Sequence, residues 1–238
     1  MKSAGQGPIL ALSGANELLL AAVENQGLCY RFHNEGLGHN ERMVALCEGL
    51  LADADLTLGK LEAVAVDLGP GSFTGQRISL AFAKGLSFAL AKPLVGFHAF
   101  ELWSHYFFRQ NPAAEPLLVL IDGRKRRFYA RLFAGDGTVL GTWDLDSAAL
   151  YQEVLRICQG ADFNVVGPGV PLFADELGRE LRRQVRDVCD VASLALSMLE
   201  LAGRRLREGS FVGPADGPFY LRKSDAEERG APLERVEN

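Results

Sequence analysis

A duplicated α/β fold is the class that this chain of 238 residues predicts, and two observations carry the prediction. The first is a junction. The short β-branched run Ala63-Val64-Ala65-Val66-Asp67-Leu68 leads into Gly69-Pro70-Gly71-Ser72-Phe73-Thr74-Gly75, which is followed at once by a helical pattern. An apolar run of that length bounded by turn residues reads as a strand buried on both faces. The second is an echo along the chain, in which three strands, a helix, a strand and a helix occur twice. Repetition of βββαβα favours a duplicated α/β architecture with two half-domains over one doubly wound sheet.

The elements follow in order. Residues 8–13, 18–24 and 27–32 read as short strands separated by Gly14-Ala15-Asn16-Glu17 and Asn25-Gln26-Gly27. That is turn chemistry, and it suggests an antiparallel meander. A helix is expected over 40–53, the buried strand over 63–68, a long helix over 75–91 and a further strand over 93–97. After Pro112 to Pro116 come strands at 117–122, 127–134 and 137–143, a helix at 147–159, a strand at 163–167 and a helix at 171–183. The last helix spans 191–207, with Asp190 as its N-cap and Gly209 at C′. Leu194, Met198, Leu201 and Arg205 share its core-facing stripe. Gly213, Pro214, Gly217 and Pro218 then interrupt regular structure, and the charged segment 224–238 is expected to be mobile. The expected division is a half-domain at 1–105, a second at 106–212 that includes the final helix, and an irregular tail at 213–238.

Composition agrees. With 48% hydrophobic and 23% charged residues the chain can bury one large core or two joined ones. Its apolar stretches are broken before reaching the roughly 18 residues that a membrane helix requires. No basic-then-apolar leader opens it, so a cytoplasmic location is expected, with no membrane partner. Cys29, Cys47, Cys158 and Cys189 are scattered and lack metal or redox spacing, which makes them reduced structural thiols. A net charge of −5 argues against a surface built throughout to attract nucleic acid. Two basic patches remain, Arg124-Lys125-Arg126-Arg127 between two strands and Arg179, Arg182, Arg183 and Arg186 on one helix. The first reads as a solvated hairpin turn and the second as the polar face of an amphipathic helix.

The glycine turn has two readings. Glycines at a strand-to-helix junction can turn backbone N–H groups toward an anion at the helix N-terminus, which makes Gly69, Gly71, Ser72, Thr74 and Gly75 a candidate phosphate-binding turn. They can equally serve only a tight turn and close packing of helix on sheet. No Gly-Lys-Ser/Thr closes the turn, so it is not a Walker A loop. Nucleophilic catalysis has no support, because Ser72 lies in Gly-Ser-Phe-Thr-Gly rather than Gly-x-Ser-x-Gly and His33, His98 and His105 are scattered.

The words around this turn resemble a family. Gly-Pro-Gly-Ser-Phe-Thr-Gly from Gly69, then Gln76-Arg77-Ile78-Ser79 and Ala83-Lys84-Gly85-Leu86, are similar to a segment of the bacterial TsaB (YeaZ) family, which has Leu-Arg-Ile-Gly and Ala-Lys-Gly-Leu there. Ile9-Leu10-Ala11-Leu12, His39-Asn40, Ile121-Asp122-Gly123-Arg124-Lys125 and Pro218-Phe219-Tyr220-Leu221-Arg222 extend the resemblance over nearly the whole chain. It implies an actin-like, sugar-kinase-like fold whose nucleotide machinery has decayed, with no cofactor. It also implies partnership with a TsaD-type paralogue, and with a TsaE-type ATPase in the complex, in making threonylcarbamoyladenosine at position 37 of transfer RNA. Transfer RNA would be met indirectly. Ser13 departs from the family pattern, which has an aspartate at the end of the first strand where a kinase organises magnesium and phosphate. Asp67 can be read as a second-strand carboxylate or as a strand-end residue. The paired helix histidines of the catalytic relatives are missing, since Met43 stands four residues after His39. His39 and Asn40 read as the N-cap region of the helix that follows.

Association is the positive signal. In the long helix Ile78, Ala81, Phe82, Gly85, Leu86 and Ala89 form one face, yet Leu80, Ala83, Phe88 and Leu90 occupy the other, and only Arg77 and Lys84 are charged. A helix apolar nearly all round must be covered on more than one side. The preceding helix carries the stripe Met43, Leu46, Cys47, Leu50 and Leu51. The cover could be the opposite half-domain or another subunit. The resemblance implies the second, through these two helices, with a homodimer open to the isolated chain. The candidate docking residues are Met43, Leu46, Cys47, Leu50, Ile78, Leu80, Phe82, Ala83, Gly85, Leu86, Phe88 and Ala89. A non-catalytic partner subunit is the reading that results. A small-molecule kinase or ATPase using the glycine turn, and a self-associating module unrelated to TsaD, stand as alternatives.

Overall fold

The structure is a computed structural model that describes residues 7–15, 18–33, 39–112, 115–177 and 190–222. Alternation along the central strands sets its layers, because successive side chains of a strand point to opposite faces. In β1 (Ile9–Ser13), Ile9 and Ala11 join one core while Leu10 and Leu12 join another. β1 pairs antiparallel with β2 (Leu19–Glu24), which pairs antiparallel with β3 (Leu28–His33). After α1 (His39–Asp53), β4 (Ala63–Asp67) lies parallel to β1 on its other side. α2 (Phe73–Leu90) leads to β5 (Leu94–Phe97), parallel to β4, which completes the order β3-β2-β1-β4-β5.

A second sheet repeats the plan. After α3 (Ala99–Gln110), β6 (Leu117–Asp122), β7 (Phe128–Phe133) and β8 (Val139–Leu145) form an antiparallel meander. α4 (Ser147–Cys158) crosses to β9 (Asn164–Val166), parallel to β6, for the order β8-β7-β6-β9. α5 (Val170–Leu177) and α6 (Val191–Glu208) follow. The duplicated βββαβα plan is thus present in both sheets, with the same order and senses. Asp190 caps α6 through the amides of Ala192 and Ser193, and Gly209 ends it in the left-handed region with φ of 66°. The helix expected at 171–183 is described only to Leu177, and Arg179, Arg182, Arg183 and Arg186 lie outside the described residues. So do Asn16, Cys189 and the segment 224–238.

Three cores stack through these layers. α1 and α2 cover one face of the first sheet through Met43, Leu50, Leu80 and Ala83. α3 and α6 lie between the two sheets, and their Phe100, Trp103, Leu194 and Met198 share one core with strands of both. α4 and α5 cover the far face of the second sheet through Leu150, Val154 and Phe173.

Two expectations about organisation are corrected. The segment 98–111, to which no element was assigned, is α3, and the boundary expected at residues 105 and 106 falls inside it. Aromatics at Phe100, Trp103, Tyr106 and Phe107 place that helix in the middle of the molecule, where both sheets cover it. α6, expected with the second half-domain, packs on β1, β2 and β5 of the first. The chain beyond it also returns to the first half. Phe211 bridges Val95 and the Val212 amide donates to the Leu94 carbonyl, so the tail begins as a sixth line of pairing beside β5.

Candidate functional site

The glycine turn sits where the C-terminal ends of β1 and β4 meet. Asp67 closes β4 and is fully buried. One of its carboxylate oxygens accepts from the Gly69 amide at 2.8 Å and the other from the Ser13 hydroxyl at 2.8 Å. Burial outweighs these bonds and pushes the carboxyl up to about 6. Gly69 takes φ of +95°, which glycine adopts without strain. Ser72 caps α2 by accepting from the Gly75 amide at 3.2 Å, and its own amide donates to the Ala15 carbonyl at 2.5 Å.

The glycines permit a close approach. A Cβ on Gly71 would lie 1.9 Å from the Ala15 carbonyl oxygen, and one on Gly75 would lie 2.1 Å from that of Gly14. The turn after β1 is therefore packed directly against the start of α2 with carbonyl oxygens facing it. The amides of Gly69, Ser72 and Gly75 all have acceptors within the chain. Behind them Gln76 Oε1 and Ser79 Oγ are buried without a hydrogen-bond partner.

The face that α2 turns to the sheet differs from the stripe that periodicity picks first. Gly75, Gln76, Ser79, Leu80 and Ala83 are its buried residues. Ala81, Gly85, Phe88 and Ala89 are exposed, Phe88 by 90%, while Ile78, Phe82 and Leu86 are half-buried. In α1, Met43, Cys47 and Leu50 are sealed against the sheet, Leu46 is half-buried, and Val44 is 48% exposed. Met43, Cys47, Leu50, Leu80 and Ala83 are thus corrected as docking residues, because the first sheet already covers them. The outward apolar surface consists of Ile78, Ala81, Phe82, Gly85, Phe88 and Ala89 of α2, with Val44 of α1 beside it.

The far flank of α2 is occupied by the tail. Lys84 Nζ donates to the carbonyls of Pro214 and Asp216, and Arg77 donates to the Tyr220 hydroxyl while lying 3.7 Å over the Phe73 ring. The Phe219 amide donates to the Leu68 carbonyl, and its ring meets His98 edge-on. Arg222 then reaches the second half, donating to the Gly123 carbonyl at 2.8 Å. Residues 211–222 are therefore a strap across both halves. Its Pro218–Arg222 motif is visible in the sequence, but a motif without periodicity carries no sign of what it packs on.

The scattered histidines have structural partners. The His33 ring meets Arg42, and His105 meets Glu200 at 2.8 Å. His98 precedes α3, where burial holds its imidazole below the ordinary value. Burial pushes the nearby Glu101 carboxyl up, but the His98 amide and the Arg205 guanidinium prevail and hold it below its ordinary value. Among the described residues no group of three His, Cys, Asp or Glu side chains is placed to hold a metal ion. Cys29, Cys47 and Cys158 are free thiols, and burial pushes Cys47 up to about 12. No described helix is long and apolar enough to cross a membrane. The Arg124–Arg127 patch forms the β6–β7 turn, where Arg124, Lys125 and Arg126 all have positive φ and Arg127 pairs with Asp144.

A duplicated βββαβα chain with this glycine junction can now be set beside known proteins. A family model for TsaD, the tRNA N6-adenosine threonylcarbamoyltransferase, matches residues 36–190. That span is well over half of the chain. The chain belongs to this family. Its likeness along nearly its whole length is to TsaB: the tRNA threonylcarbamoyladenosine biosynthesis protein TsaB of Escherichia coli is 29% identical over 229 residues, covering 92% of this chain and 96% of the relative. Among solved structures, a Pseudomonas aeruginosa protein described as similar to peptidase YeaZ superposes with a TM-score of 0.70 at 25% identity, over 91% of this chain and 100% of the other. YeaZ from the same organism superposes with a TM-score of 0.69 at 23% identity, with the same coverage, and shows the shared fold. The TsaB (YeaZ) resemblance read from the glycine-rich segment holds.

Proposed function

We propose that the chain is a non-catalytic subunit in the synthesis of threonylcarbamoyladenosine at position 37 of transfer RNA, acting in the cytoplasm by holding a TsaD-type paralogue through the outward face of α1 and α2. A TsaE-type ATPase joins that complex in this reading, transfer RNA is met indirectly, and the same face pairs two copies when the paralogue is missing. The observation that carries it is the outward side of α2, where Phe88 stands 90% exposed beside Ala81, Gly85 and Ala89. Small residues let a partner helix approach closely, and an exposed aromatic at the rim of such a face supplies an anchor.

The glycine turn supports the same reading. An anion needs unoccupied N–H donors, and here the carbonyls of Gly14 and Ala15 face the junction while three of its amides are bonded within the chain. Asp67 is held by Ser13 and Gly69 instead of facing solvent, where it could order magnesium. The chain then supplies packing surface, not an attacking group.

Reconstitution with the TsaD-type paralogue tests it. The wild-type chain should co-purify in stoichiometric ratio and support transfer RNA modification, and Phe88→Glu should abolish both while melting at the wild-type temperature. Unimpaired pairing by Phe88→Glu would overturn the docking face. Magnesium-dependent nucleotide turnover by the isolated chain would favour the kinase or ATPase reading.

A further inference from the structure

The strap builds a separate structure on α2 before it reaches the second half. Between Val212, whose amide donates to the Leu94 carbonyl, and Phe219, whose amide donates to that of Leu68, residues 213–217 form a turn that closes on itself. The Gly213 amide donates to the Asp216 carboxylate at 2.7 Å, and the Asp216 amide donates back to the Gly213 carbonyl at 3.2 Å. Lys84 of α2 pins the turn, its Nζ donating to the carbonyls of Pro214 at 2.8 Å and Asp216 at 2.6 Å.

What the turn gains within the chain is small. Pro214, Ala215, Asp216 and Gly217 are all exposed, so these bonds order backbone while burying little apolar surface in return. An exposed loop held in one conformation has already met the ordering cost that a partner would otherwise impose. Its place is equally specific. Lys84 stands three residues after Ala81 and four before Phe88, which makes it a neighbour of both on the helix surface. The turn therefore borders the outward apolar surface of α2 on its far flank, next to the residue that Phe88, 90% exposed, follows by one helical turn.

We infer that the docking face continues from α2 onto residues 213–217, so that a helix of the TsaD-type paralogue meets Ala81 and Phe88 with one side and Pro214 and Ala215 with the other. This rests on the docking reading above. The occupant presents an apolar face, because the charged groups of this flank already have partners within the chain. Lys84 points to the two carbonyls, the Asp216 carboxylate accepts from the Gly213 amide, and Arg77 donates to the Tyr220 hydroxyl while stacking on Phe73. Pro214 and Ala215 are the apolar side chains that the turn leaves in solvent.

Calorimetric titration of the full chain with the paralogue tests it, with Ala215→Trp as the variant. Ala215 is exposed and its side chain takes no part in the bonds that hold the turn, so the melting temperature should stay at the wild-type value while affinity falls at least tenfold. Hydrogen exchange supplies a readout free of any substitution, since the backbone amides of 213–217 should slow in the wild-type chain on pairing. Wild-type affinity in Ala215→Trp, or exchange at 213–217 unchanged by the paralogue, would overturn it. Slowing that accompanies self-association but not pairing with the paralogue would overturn it as well, making a second copy the occupant. Phe88→Glu keeps the two levels apart. If that variant loses pairing while Ala215→Trp pairs normally, the face ends at α2; if it pairs normally, the docking reading itself fails.

Discussion

Asp67 is fully buried between the Ser13 hydroxyl and the Gly69 amide, where its ionised form is costly. Its folded value of about 6 lies above the ordinary 3.8, so the folded state binds this proton more tightly than the unfolded state does. The associated stability is fully present below the unfolded value and is lost as pH rises through about 6. At 1.36 kcal/mol per unit the effect is on the order of 3 kcal/mol. Asp67→Asn should flatten this dependence, as read from urea unfolding across that range. Gln76 and Ser79 stand where the family segment has Leu and Gly, and both bury a polar atom without a partner. Gln76→Leu should therefore raise stability by about 1 kcal/mol, by the same assay. Gly75→Ala should lower it by about 2 kcal/mol, because the added Cβ meets backbone that cannot move aside. The sequence showed the glycines, but the contact they permit involves Gly14 and Ala15, about sixty residues away along the chain, and no local pattern reports it.

At the scale of the element, α2 shows how far periodicity reaches. A helix apolar nearly all round was legible, and so was its need for cover on two sides. Which side meets the sheet was not, because Leu80 and Ala83 differ little in hydrophobicity from Phe82 and Ala89. The structure separates them, and substitutions should do the same. Leu80→Glu should unfold the chain, since it buries an unpaired charge 5% exposed in the wild type. Phe88→Glu should leave the fold intact and disrupt pairing alone. Gly85 has nothing within 4 Å of an added Cβ. Gly85→Ala should then stabilise the isolated chain by about 1 kcal/mol through helix propensity, measured by thermal unfolding, while weakening association with the partner helices. α3 was legible too, since Glu101, His105 and Arg109 recur every four residues opposite the buried Phe100, Trp103, Tyr106 and Phe107, and the pattern was passed over.

Across the whole molecule, the strap at 211–222 joins what the layers leave apart. It pairs with β5, flanks α2, packs Phe219 on His98 and ends with Arg222 on the Gly123 carbonyl of the second half. Replacing Phe219 and Tyr220 by alanine should cost about 2 kcal/mol and lower the unfolding midpoint in urea. The sequence by itself determined the order of strands and helices apart from α3, their repetition in two halves, the glycine junction and the caps of α6, because each rests on residues close in the chain. Only the tertiary structure decided that α3 and α6 fill the space between the sheets, that α6 serves the first half, and that α2 turns Ala81, Gly85 and Ala89 outward. The physical reason is that both faces of each sheet are covered. When apolar side chains are required on every side, their pattern tells which residues share a face but not which partner that face meets.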